Sequence, residues 1–289
     1  MAAVTMAMVK ELRERTEAGF MDCKKALTEC DGDMEKAIDW LRKKGASKAV
    51  NKAGRIAAEG LAKVVVEGND ALLVEVNCET DFAAGNVHFK ELVEKATAWI
   101  MANKPANVEA ALTGGVQTMI DDATAVISEK LSLRRFEFVT KNDDEAFGDY
   151  THMNDQIVSV AVVKPANKEV ADNIAMQVAA MAPQYITLKD VPASAIEHEK
   201  EIQLALMEQN PAEASKPANV KEKMVAGRIE KTFKPICLDE QEFFLDTTKK
   251  VRAYLKEQGT EVVKIARFKV GEGIEKKQEN FAEEVAKAL

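Results

Sequence analysis

LLVEVNCETDFAAGNVHFK, residues 72–90, decides how the chain is read. Leu72, Leu73, Val74 and Val76 form an apolar, β-rich run that predicts a largely buried strand. The run breaks at Asn77, Cys78, Glu79, Thr80 and Asp81. Thr80 or Asp81 suits the N-cap of a helix starting near Phe82. Phe89, Leu92, Val93, Ala96 and Ile100 then recur at helical spacing. Phe82 is therefore a large aromatic at a strand-to-helix corner, beside a carboxylate. Two readings fit that spacing. The ring is a hydrophobic staple packed back onto its own helix, or it is an exposed wedge on a rigid corner, built to enter a partner.

The whole chain bounds the choice. Its 289 residues suffice for two or more domains, and 46% hydrophobic with 30% charged residues is the make-up of a soluble globular protein. No apolar run is long enough to cross a bilayer. The opening MAAVTMAMVKELRERTE lacks the basic start and apolar centre of a signal peptide, so a cytoplasmic chain with no membrane contact is expected. A net charge of -8 argues against direct nucleic-acid binding. Cys23, Cys30, Cys78 and Cys237 form no CxxC pair and suit a reducing compartment.

Upstream, residues 1–54 predict a small helical domain. Val4, Met8, Val9 and Leu12 mark a first helix, and Phe20, Cys23, Ala26, Leu27 and Cys30 a second. Asp31-Gly32-Asp33 is a tight turn, with Asp33 placed to cap a third helix through Met34, Ala37, Ile38 and Leu41. Gly45 predicts its end, and residues 46–60, with Lys48, Lys52 and Arg55, read as a basic linker. Phe20 and Met21 are neighbours about 100° apart on a helix, so one of them should be exposed.

Downstream, the pattern repeats. Residues 64–76 predict a hairpin turning at Gly68-Asn69-Asp70, followed by a helix ending near Lys104. Residues 150–163 predict another, turning at Asn154-Asp155, followed by a helix over 170–181. Between them Ile120, Ala123, Ile127 and Leu131 fit a helix and residues 135–140 a strand. Two strands and a helix, twice, suggest two related halves with antiparallel sheets. Asn142, Asp143, Asp144 and Glu145 divide them; without EF-hand spacing this is read as a solvated loop. Residues 184–233 predict a helical hairpin, with helices over 193–209 and 220–233 meeting along a thin apolar seam of Ile196, Ile202 and Leu206 against Val220, Met224 and Ile229. A strand through Phe243, Phe244 and Leu245, a helix over 248–258, and a strand through Val262, Val263, Ile265 and Phe268 return to the core. Phe281, Val285 and Leu289 mark a last helix. The expected fold class is α+β. Its parts are a helical domain (1–54), a first core half (55–140), a second half in two segments (141–183 and 234–270), the hairpin insert (184–233) and a C-terminal module (271–289).

No GxxxxGK[ST] or GxGxxG motif is present, so no phosphate cradle is expected. His88, His152 and His198 lie far apart in sequence, which disfavours a sequence-local metal site; neither cofactor nor metal is expected.

Three motifs carry a resemblance. Residues 9–27, VKELRERTEAGFMDCKKAL, are similar to the opening of bacterial elongation factor Ts, with Glu17 where that family has Gly. Thr80-Asp81-Phe82 after Glu79 resembles its second motif, here followed by Ala83, Ala84 and Gly85. Residues 267–274, RFKVGEGI, resemble its third. The resemblance implies a three-helix, ubiquitin-associated-like start, a two-part α/β core, a dimerising helical hairpin and a C-terminal helix that also touches the partner. It implies a nucleotide exchange factor and not an enzyme, with elongation factor Tu as partner in its GDP-bound and nucleotide-free forms, and a possible homodimer through the hairpin. By the same resemblance Thr80, Asp81, Phe82 and Ala83 form the exchange corner that enters near the Mg²⁺-binding region of the GTPase, and Leu12, Arg13, Phe20, Met21 and His152 contact the partner. Two other classes compete. One is a binding adaptor built on the ubiquitin-associated-like start. The other is a small-molecule α/β enzyme using Cys78 and His88 near the corner.

Overall fold

The computed structural model describes residues 4–16, 18–52 and 54–275. Glu17 and the helix expected through Phe281, Val285 and Leu289 lie outside them. The chain opens with helices α1 (Met6–Thr16), α2 (Phe20–Glu29) and α3 (Met34–Lys52). Their apolar faces meet in a small core of Val9, Leu12, Ala18, Cys23, Ala26, Leu27, Ala37 and Leu41. Gly32 takes the left-handed conformation after α2, and the Asp33 carboxylate accepts the Lys36 N–H at 3.1 Å to start α3. One expectation fails here. The helix does not stop at Gly45 but continues to Lys52, through nearly half of the predicted linker. One glycine in a helix costs about 1 kcal/mol relative to alanine. The lysines and alanines around it are good helix formers, and α3 lies against a core helix.

The core follows as β1 (Glu59–Glu67), β2 (Asp70–Cys78), α4 (Asp81–Gly85), α5 (Val87–Asn103), α6 (Val108–Ala111), α7 (Gln117–Ile127), β3 (Ser132–Thr140), β4 (Ala146–His152), β5 (Ile157–Lys164) and α8 (Lys168–Met181). Then come α9 (Ala193–Glu208), α10 (Pro211–Ala214), α11 (Ala218–Phe233), β6 (Glu242–Phe243), β7 (Asp246–Lys250), α12 (Val251–Gln258) and β8 (Glu261–Lys269). Two antiparallel three-stranded sheets form, in the orders β1-β2-β3 and β4-β5-β8. The helical hairpin and β6, β7 and α12 are inserted before β8 closes the second sheet.

The two sheets pack face to face and each carries helices on its outer face. Alternation along the central strands shows why. Leu72, Val74 and Val76 of β2 face α5 and α7, while Ala71 and Leu73 face the other sheet. In β5, Val158, Val160 and Val162 face the first sheet, and Ala161 and Val163 face α8. Both strands are covered on two sides, so both read as continuous apolar runs. Glu75 breaks the pattern, a fully buried carboxylate on the face of β2 turned to the second sheet. It accepts from Arg134 at 2.8 Å, Arg135 at 2.6 Å and the Gly271 N–H at 2.8 Å, so the buried charge is paired and hydrogen-bonded. These bonds tie β2 and β3 to the segment that leaves β8.

Three further expectations are corrected. The helix expected from residue 248 begins at Val251, because residues 246–250 pair with β6 as an edge strand. Phe244 and Leu245 lie outside the strands, and Leu245 is exposed. In the helical hairpin, Met207 and Val225 are the buried residues of α9 and α11, while Ile202, Leu206 and Val220, predicted for the seam, are exposed. The residues at 142–145 form a turn whose carboxylates each have a local partner: Glu145 takes the Asn142 N–H, Asp143 the Asn69 side chain and Asp144 the Lys164 ammonium. No group of residues suited to a metal ion occurs among the described residues.

Candidate functional site at the β2–α4 corner

Strand β2 ends at Cys78 and the chain turns through Glu79 and Thr80 into α4. Thr80 has extended backbone, φ -129° and ψ 157°, and its Oγ1 accepts the Ala83 N–H at 3.2 Å. That is an N-cap. The neighbouring Asp81 carboxylate accepts the Phe82 N–H at 2.9 Å. Ala83 and Ala84 are buried in the first core half and anchor the inner side of the turn. Asp81 and Phe82 form its outer side and are exposed. Phe82 is 88% exposed, the highest value among the exposed large hydrophobic residues described. A ring that open covers almost none of its own helix, so the staple reading fails. Ala83 belongs to the corner through its backbone; its side chain faces the core.

Two carboxylates clasp the turn from behind. Glu129, after α7, accepts the N–H groups of Glu79 and Thr80 at 3.2 and 3.1 Å on one oxygen and the Thr80 hydroxyl at 2.7 Å on the other. Glu79 returns the contact by accepting the Lys130 N–H at 2.6 Å. Arg55 donates to both Glu79 carboxylate oxygens, at 3.2 and 3.3 Å, and its carbonyl accepts the Lys130 ammonium at 2.7 Å. Glu129 and Lys130 were not singled out from sequence. They lie about fifty positions from the corner they hold and share no motif with it.

The remaining predicted contacts fall on other elements. Leu12 is fully buried in the three-helix core, so it supports that domain and cannot itself meet a partner in this conformation. Arg13 is exposed on α1. Both Phe20 and Met21 are exposed on the first turn of α2, by 37% and 69%, although one exposed residue was expected. His152 is exposed at the end of β4, stacked on Tyr150 with ring centroids 5.9 Å apart, and Met153 beside it is exposed as well. The corner residues are thus one continuous turn, while the N-terminal group and His152 stand on separate elements.

Cys78 does not supply a nucleophile. It is fully buried, its Sγ donates to the Thr80 carbonyl at 3.1 Å, and burial pushes its thiol up to about 12, with the Glu129 charge adding to the shift. A thiol held neutral at physiological pH is inert, which removes the basis of the small-molecule enzyme reading.

The family model described as Elongation factor TS matches residues 79–272, more than half of the chain. The chain belongs to the elongation factor Ts family. The match begins at Glu79, takes in the whole exposed corner and ends at Glu272, after the Arg267–Gly271 stretch of the third motif. The family is that of nucleotide exchange factors for elongation factor Tu in protein biosynthesis, which sets the adaptor reading aside. An exchange factor speeds dissociation of a ligand from its partner and catalyses no bond change.

Proposed function

We propose that this chain releases GDP from elongation factor Tu by inserting the Thr80–Ala83 corner beside the partner's Mg²⁺-binding region. The observation that carries the reading is Phe82, a large ring almost wholly in solvent at the tip of a turn whose inner side is packed into the core. An aromatic held outward on a rigid support is the kind of side chain that anchors interfaces. In the complex Phe82 wedges between elements of the GTPase. Asp81 competes for the polar groups that support the metal. Mg²⁺ bridges phosphate and protein oxygens, so disturbing it loosens the nucleotide. Exposed Arg13, Phe20 and Met21 grip the nucleotide-binding domain, and His152 meets a second part of the partner. The helical hairpin joins two copies of the chain through the apolar residues it leaves exposed, Ile202, Leu206 and Val220. A translation factor of this kind works in the cytoplasm.

Asp81→Ala tests the metal step. Stimulated GDP release should slow in Mg²⁺ buffer, and the defect should shrink when Mg²⁺ is chelated, because the step that Asp81 assists is then already done. A defect of equal size with and without chelator would remove Asp81 from the metal step.

A further inference from the structure

We propose that Glu129 is a positioning residue for exchange: it aims the Asp81–Phe82 tip by holding the turn behind it. The proposal rests on the corner reading above. Phe82 has almost no protein surface to lean on, so its direction is set by the backbone of residues 79–83 alone. That backbone is past the sheet. The pairing of β2 with β1 ends at Cys78 and with β3 at Asn77. The next two N–H groups, of Glu79 and Thr80, both point at Glu129 Oε2. The third bond matters most. Thr80 donates its hydroxyl hydrogen to Glu129 Oε1 at 2.7 Å, which leaves a lone pair of the same oxygen for the Ala83 N–H. Glu129 thereby fixes the hydroxyl that starts α4. Bonds to an ionised acceptor are the stronger class. The reciprocal bond from the Lys130 N–H to Glu79 closes the clasp, and Arg55 joins it to the segment leading from the helical domain. A turn ordered before docking loses less freedom on docking than a loose one.

The test uses the full chain and four variants: Glu129→Ala, Glu129→Gln, Phe82→Ala and Phe82→Ala combined with Glu129→Ala. Release of fluorescent GDP from elongation factor Tu and thermal unfolding are measured on each. Losing charge-assisted bonds of this kind predicts about a tenfold slower stimulated release for Glu129→Ala. Glu129→Gln keeps a carbonyl acceptor and should recover part of the rate. With Phe82 already gone, Glu129→Ala should cost about threefold or less, because only Asp81 remains to be aimed; a purely structural residue would cost the same factor in both backgrounds. Equal factors in the two backgrounds overturn the proposal, as does normal release by Glu129→Ala when Phe82→Ala is slow. Normal release by Phe82→Ala is a different failure: it removes the corner reading and this proposal with it. If Glu129→Ala does not fold, Glu129→Gln, made alone and together with Phe82→Ala, carries the same comparison.

Discussion

Phe82→Ala changes two quantities by amounts that the structure sets apart. With the side chain 88% exposed, the covered remainder is about an eighth of a ring that offers about 200 Å². That is about 25 Å², or about 0.6 kcal/mol of apolar burial. Alanine also suits a first helical turn better than phenylalanine, which offsets part of the loss. Melting should therefore move by no more than about 2 °C. In a complex that covers the rest of the ring, about 175 Å² is removed from water, which sets a ceiling of about 4 kcal/mol. Truncating an interface anchor commonly costs about 2 kcal/mol or more, so about a 30-fold loss is expected. The loss should fall on a particular step. Factor and nucleotide weaken each other's binding reciprocally, so the wedge matters most while GDP is still bound. Stopped-flow release of fluorescent GDP should slow more than affinity for the empty GTPase falls. A folded Phe82→Ala protein with unchanged stimulated release would refute the reasoning. So would a melting point many degrees lower, which would mean that the ring supports the fold.

Two other outcomes follow from the structure. Replacing residues 195–231 by a short flexible bridge should give a smaller oligomer by light scattering and keep most exchange activity; loss of exchange in the folded variant would place the hairpin on the exchange surface instead. Glu240 is held below the usual carboxylate range by the Lys250 ammonium at 2.5 Å, with Arg252 adding to the effect. A depressed carboxylate stabilises the fold above its unfolded value near 4.5, and that stability is lost as pH falls through the lower folded value. Glu240→Gln should therefore be less stable than the parent at pH 7 and should lose less stability between pH 5 and pH 3. Parallel stability curves for the two proteins would sink the assignment.

Much of the fold was legible because its signals are local. The turns at Gly68-Asn69 and Asn154-Asp155, the Asp33 cap and the helix end at Lys104 each depend on a few adjacent residues, and all lie where the sequence puts them. The continuous apolar runs of β2 and β5 likewise announced strands covered on both faces. The failures differ in cause. Good helix formers on both sides of Gly45 carry α3 past it. The polar strand β7 exists by pairing with β6, which its composition does not suggest. Leu12 sat at an apolar helical position that already marked it as core, and the structure buries it. At the site, spacing offered Thr80 or Asp81 as the cap, of which the structure takes Thr80, and it did not decide Phe82, because a staple and a wedge occupy the same position. Exposure separates them, and exposure depends on what the rest of the fold leaves uncovered. The clasp from Glu129 and Glu79 was invisible for the same reason: it joins two turns that only the closed sheet brings together.

The measurement closest to the central claim is the rate at which fluorescent GDP leaves elongation factor Tu as this chain is added. The account predicts acceleration that rises with concentration and saturates, and that Phe82→Ala largely removes. Release that stays at the spontaneous rate across the whole titration would contradict it.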